Sequence, residues 1–263
     1  MDKILLFIPM YNCEKQITRV LGQLSDHVCS YLSEVIIVNN RSTDNGEAAV
    51  QEYLSSHYLP IRVKLFRNAE NYGLGGSHKV AFQYAIENNF DYIIVLHGDD
   101  QGNIADLIAT IGKMDYHKYD SLLGARFMKD SKLLNYSHFR IWGNSIFNLF
   151  FSVISGHRIY DLGSGLNMYK VNYLKQRFYW DFPDTLSFNV FLLLYGVYSK
   201  SSFVFFPLSW REEDQTSNAK FIKQSKELLR LGILYLFAPK GLFKIPELIH
   251  TQNYQYELVY RKE

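Results

Sequence analysis

Five short apolar runs, each followed by residues at helical spacing, constrain the fold more than any single motif. The runs are Lys3 to Ile8 (ended by Pro9), Glu34 to Val38, Ile61 to Phe66, Tyr92 to Leu96 and Ser121 to Ala125. Their β-branched content suits a sheet interior. Between them, Ile17, Val20, Leu21, Leu24 and Val28 recur as a helix face, as do Ala48, Ala49, Tyr53 and Leu54. Val80, Ala81, Tyr84 and Ala85 form another such face, and Ile104, Leu107, Ile108, Ile111 and Met114 the next. Strands alternating with helices predict an α/β domain whose mostly parallel central sheet carries helices on both faces. Polar clusters follow the strands at Pro9 to Glu14, Asn39 to Asp44 and Gly98 to Gln101. In a parallel sheet such loops share one edge, where ligands bind.

A chain of 263 residues with 48% apolar content buries a full core. Its net charge of +2 argues against a nucleic-acid partner. Cys13 and Cys29 show no paired spacing, which excludes a disulfide framework and a structural zinc site and fits a cytoplasmic protein. The opening residues read as a first strand rather than a signal peptide, and no run reaches the roughly 20 apolar residues of a membrane span.

The fourth run stops at His97-Gly98-Asp99-Asp100-Gln101, where Gly98 lets the backbone turn and present carboxylates at the sheet rim. Hard oxygen ligands at that point suit a divalent ion on two phosphates. Gly73-Leu74-Gly75-Gly76 is neither a P-loop nor a dinucleotide fingerprint, but amides at a helix start favour an anion. Asn39 to Asp44 has the composition of a helix cap. Beyond residue 125 the alternation weakens. Ile146 to Ile154 is densely apolar, Leu166 to Tyr169 and Phe203 to Leu208 are strand-like, and Leu228 to Ala238 is apolar nearly all round with basic flanks. That last segment suits either a membrane surface or a packed helix.

Taken together, P-x-Y-N at 9 to 12, V-N-N-R-S-T-D at 38 to 44, N-x-G-x-G at 71 to 75, G-D-D-Q at 98 to 101, G-A-R at 124 to 126 and D-L-G-S-G-L at 161 to 166 resemble the family 2 glycosyltransferases of the GT-A fold. The nearest likeness is to polyprenyl-phosphate (dolichyl-phosphate) mannose and glucose synthases, over about residues 3 to 220. It implies a GT-A domain at 1–220, with a nucleotide-sugar half at 1–125 and an acceptor half at 126–220. A short helical tail follows at 221–263.

The resemblance further implies that Pro9, Tyr11 and Asn40 hold the base and ribose of a UDP- or GDP-hexose, with Glu14, Asn71, Gly75 and Asp100 beside them. Asp99 stands at the second acid of the family's D-x-D motif. With Gln101 and His97 it would place Mg²⁺ or Mn²⁺ on the diphosphate. Arg126, Arg140 and Ser164 resemble acceptor-phosphate positions, and Arg211, Ser217 and Lys220 a loop that closes over the donor. The chain departs from the pattern at His97, at Asn39-Asn40 in place of V-D-D acids, and at Asn167 in place of an arginine.

The implied reaction is inverting sugar transfer, with Arg211 and Lys220 countering charge on the leaving group. An ionised lipid phosphate needs no catalytic base. A saccharide hydroxyl, as in capsule, teichoic acid or lipopolysaccharide assembly, would need one, and the only acid in the corresponding stretch is Asp184, which also suits a helix cap. A non-catalytic nucleotide-binding module is the third reading. The expected location is cytoplasmic, with the tail peripheral on the inner membrane face.

Overall fold

The computed structural model describes residues 2–214, 221–243 and 253–263. Its first half runs β1 (Ile4–Met10), α1 (Glu14–Gly22), α2 (Asp26–Cys29), β2 (Glu34–Asn39), α3 (Gly46–Ser56), β3 (Val63–Asn68), α4 (Gly73–Glu87), β4 (Tyr92–Leu96), α5 (Ile104–Ile111) and β5 (Ser121–Ala125). The second half continues with β6 (Lys132–Leu134), α6 (His138–Ser155), β7 (Leu166–Lys170), α7 (Val171–Leu174), α8 (Phe188–Tyr198), β8 (Phe203–Pro207), β9 (Ser209–Arg211), α9 (Phe221–Phe237), α10 (Pro239–Phe243) and β10 (Tyr256–Lys262).

Eight strands form one sheet in the order β10-β3-β2-β1-β4-β7-β5-β8, and β6 pairs with β9 in a second, two-stranded one. The strands β3, β2, β1 and β4 are mutually parallel, whereas β7 runs antiparallel between β4 and β5. Along β1, Leu5 and Phe7 join one hydrophobic cluster while Ile4, Leu6 and Ile8 join the other. Side chains alternate across a strand, so both faces of the sheet are buried, as the apolar runs require.

Local differences from the sequence reading have identifiable causes. Pro9 lies inside β1, paired with Val38, instead of ending the strand. Its carbonyl accepts from Gly98 on the β4 side, where the β4 ladder has already stopped at Phe7 and Val95, so its missing N–H costs no ladder bond. The first predicted helix is broken in two because Ser25 caps α2 by accepting from the Val28 N–H. The Gly73 to Gly76 run forms the first turn of α4 rather than a loop ahead of it. The tail holds two helices and also β10, which adds antiparallel to the free edge of β3. A sequence tail therefore completes the sheet begun by the first half.

Because β7 runs against its neighbours, the Asp161 to Gly165 loop that precedes it reaches the same edge as the loops that follow β1, β4 and β5. That edge positions the site.

Candidate active site

The edge opens into a cavity of about 550 Å³, walled by Tyr11, Asn12 and Cys13 after β1, by His97, Asp99 and Gln101 after β4, and by Arg126 after β5. Leu162 to Gly165 and Trp210 close the floor, and residues of α6, α8 and α9 form the far side. The position matches the crevice where an open α/β sheet reverses its strand order.

The β4 wall is shaped by close contact. A side chain at Gly98 would come within 2.9 Å of the Pro9 carbonyl, and one at Gly165 within 2.8 Å of the His97 ring, so both positions require glycine. His97 is held with its Nε2 buried and without a hydrogen-bond partner. Burial, and then the charge of Arg126, lower its pKa to about 4, leaving a neutral imidazole, the form that ligates metals. Burial also pushes the Asp99 carboxyl up to about 6, and its Oδ1 accepts from the Gln101 N–H at 3.3 Å. The Cys13 thiol is pushed up to about 12 by burial, so it offers no thiolate nucleophile.

Opposite stand two guanidiniums. Arg126 forks onto Asp161 at 2.7 and 2.8 Å, donates to the Gly163 carbonyl and packs its plane over Trp210. Arg140 pairs with Glu212 and lies over the Tyr136 ring. Ser164, nearly fully buried, donates to the Leu166 carbonyl and also faces the cavity.

Several residues expected at the site lie behind its wall. Asp100, adjacent to Asp99, is fully buried and turned away, receiving Arg19 at 2.7 Å, Gln23 at 3.1 Å and Arg211. Its backbone adopts φ +60, which points its carboxylate inward between α1 and β9. Arg211 is thereby committed to Asp100 rather than to the cavity. Asn40 accepts from the Asn68 side chain and the Tyr72 N–H, both at 2.9 Å, and donates to Asn71, so it stitches the ends of β2 and β3 to α4. Glu14 ties α1 to the β2 loop by accepting from the Asn45 N–H. Pro9 and Gly75 are contact points of the framework; Gly75 donates its N–H to the Asp184 carbonyl at 2.9 Å.

Asp184 sits against α4, where Lys79 reaches it at 2.8 Å and the Tyr254 hydroxyl donates to it. Burial lowers the fully enclosed Lys79 ammonium below the ordinary lysine range, an effect that Asp184 opposes. Asp184 is therefore an anchor for the C-terminal segment and does not line the cavity. Lys220 and Ser217 lie outside the described residues.

Sequence reasoning missed three wall residues. Trp210 is buried with its Nε1 unpartnered, Asn189 keeps a buried Oδ1 unpartnered, and Tyr136 links Arg126 to Asn144. Nothing in their spacing signals a site; only the return of β9, of α8 and of the β6–α6 connection to the sheet edge brings them there. Among the described residues, no three His, Cys, Asp or Glu side chains cluster as a metal site. The donors on the β4 wall are one imidazole, one carboxylate and one amide.

Comparison with known proteins agrees with this architecture. Residues 6–178 match the model of glycosyl transferase family 2. The UDP-N-acetylglucosamine–dolichyl-phosphate N-acetylglucosaminyltransferase of Methanococcus voltae is 24% identical over 184 residues, covering 66% of this chain and 72% of that protein. The dodecaprenyl-phosphate galacturonate synthase of Rhizobium johnstonii is 23% identical over 174 residues, 65% of this chain and 48% of its own length. Among solved structures, Mycobacterium tuberculosis glucosyl-3-phosphoglycerate synthase with Mn²⁺, UDP and phosphoglyceric acid aligns with a TM-score of 0.60 at 12% identity, over 89% of this chain and 78% of that one. S. aureus TarS 1–349 with UDP-GlcNAc gives 0.58 at 18% identity, over 94% and 70%. The chain belongs to glycosyltransferase family 2: it has the GT-A fold and is a glycosyltransferase that uses a nucleotide sugar.

Proposed function

We propose that the protein transfers a sugar, with inversion, from a UDP-sugar to a polyprenyl-phosphate-type lipid. The observation that carries the acceptor class is the wall chemistry. Two guanidiniums face the cavity, whereas Asp184, the acid the sequence offers as base for a hydroxyl acceptor, is held on Lys79 outside it, and Glu212, which does line it, is paired with Arg140. A lipid phosphate is already ionised and attacks without deprotonation, and planar guanidiniums suit its oxygens. The Methanococcus and Rhizobium relatives, both named for action on polyprenyl-type phosphates, support the same class. The uridine nucleotides of the first of these and of both structural neighbours support a UDP donor over a GDP donor.

His97, Asp99 and Gln101 would hold a divalent cation, and the imidazole favours Mn²⁺ over Mg²⁺. Such an ion, bound with the donor, supplies charge neutralisation on the diphosphate. The chain's own part is to hold the donor between Tyr11 and the β4 wall, to orient the acceptor phosphate at Arg126, Arg140 and Ser164, and to exclude water with Trp210 and Phe147.

The test is a panel of UDP- and GDP-sugars with Mn²⁺ or Mg²⁺, offered undecaprenyl phosphate or a soluble oligosaccharide. Product on the lipid phosphate from a UDP-sugar, lost on chelation, is expected. Transfer to the oligosaccharide alone would overturn the acceptor assignment.

A further inference from the structure

Helix α6 carries an apolar stripe that stands exposed along the side away from the core. Trp142, Ile146, Leu149 and Val153 recur three or four residues apart and are 45 to 73% exposed. Their angular position on the helix is opposite Phe151, which is fully buried. Helix α9 packs alongside: a side chain at Gly232 would meet the Phe150 ring at 2.2 Å and Ile154 at 3.4 Å, so the two backbones approach closely. On α9, Leu229, Ile233 and Leu236 lie next to Gly232 on the outward side and are 48 to 57% exposed, and Phe237 is 79% exposed. The two stripes thus flank the seam between packed helices, and exposed apolar residues gathered in this way mark an interaction surface.

We propose that this α6–α9 surface docks the protein onto an anionic bilayer, with both helices lying in the interface. Charge selects the bilayer over a second copy of the chain. No acidic residue occurs between Asp130 and Asp161, whereas Lys132 and Arg158 do, besides Arg140, which is paired with Glu212. Lys226 and Arg230 border the α9 stripe and are exposed, with Lys240 just beyond its end, against a single acid, Glu227, in that helix. An apolar stripe with a tryptophan and a basic border is what an interfacial helix presents to acyl chains and anionic headgroups. No helix among the described residues is long and apolar enough to cross a membrane. The inward faces of the same helices contribute Gly143, Phe147 and Leu228 to the cavity wall, so docking would set the cavity beside the lipid surface.

The inference goes beyond the acceptor assignment and is read without any sugar transfer. The full chain is floated with phosphatidylcholine vesicles and with vesicles containing phosphatidylglycerol, and Trp142 emission is followed with brominated lipid. Recovery with the phosphatidylglycerol vesicles, reduced by salt, and quenching that disappears in Trp142→Phe are expected. Leu149→Glu with Ile233→Glu should cut recovery about tenfold while leaving the melting temperature and the UDP-induced thermal shift unchanged. Equal recovery of that variant would overturn the proposal. So would a dimer in solution, seen by light scattering, that these substitutions split, because the face would then belong to a second copy.

Discussion

Asp100 gives its carboxylate to Arg19, Gln23 and Arg211, while its neighbour Asp99 faces the cavity. Replacing either acid by Asn therefore has different consequences, and Asn tolerates the left-handed backbone at position 100. Asp99→Asn should lower transfer by roughly 10²-fold or more, since it acts on charge at the reacting centre, with no change in melting temperature. Asp100→Asn should cost about 2 kcal/mol or more of stability in chemical denaturation. The usual loss of about 3–5 kcal/mol for breaking a buried pair is discounted because both arginines are more than a third exposed. The sequence showed two adjacent carboxylates at a strand end. It could not show which one turned inward, because that depends on a single backbone dihedral and on partners about eighty and a hundred and eleven residues away.

At the scale of elements, the end of β3 is tied to α3 through Arg67, which donates to Glu47 at 2.8 Å, and Asn39 at the end of β2 donates to the same carboxylate. The hydrogen bond from Arg67 holds the Glu47 carboxyl below its ordinary value of 4.5. A carboxylate depressed in the folded state contributes stability above that ordinary value, and the contribution is lost as pH falls through the lower, folded one. The stability gap between the native chain and Glu47→Gln should accordingly be level near neutral pH, at about 1 kcal/mol for a partly exposed pair, and should close below pH 4.5. Urea titrations from pH 7 to pH 3 check it. Periodicity located all five strands of the first half within two residues or so. It placed the Gly73 run in a loop because glycines at a helix start carry no helical signal, although the close approach of Pro183 and Asp184 demands them there.

On the scale of the whole molecule, β10 pairs with β3 from Val63 to Asn68 and, through Tyr254, reaches Lys79 and Asp184. Removing residues 253–263 should lower stability by several kcal/mol, at roughly 0.5–1.5 kcal/mol for each hydrogen bond lost, and should expose an edge strand that self-associates. A thermal melt with light scattering reads both effects. The sequence carried no sign of this pairing, since YELVYRK does not specify which edge it will join.

The sequence alone determined that strands and helices alternate, that their polar loops share one rim, and that the family motifs follow one another along the chain. These are matters of local periodicity and chain order, and they are written wherever each segment begins and ends. Only the tertiary structure decided which motif residues face the cavity and which hold its wall together. Asp99 and Tyr11 face it, and so does Arg126 although it is paired with Asp161, whereas Asp100, Asn40, Arg211 and Asp184 hold partners away from it. The reason is that a buried polar group must satisfy its hydrogen bonds, and the partners that do so come from segments far apart in the chain.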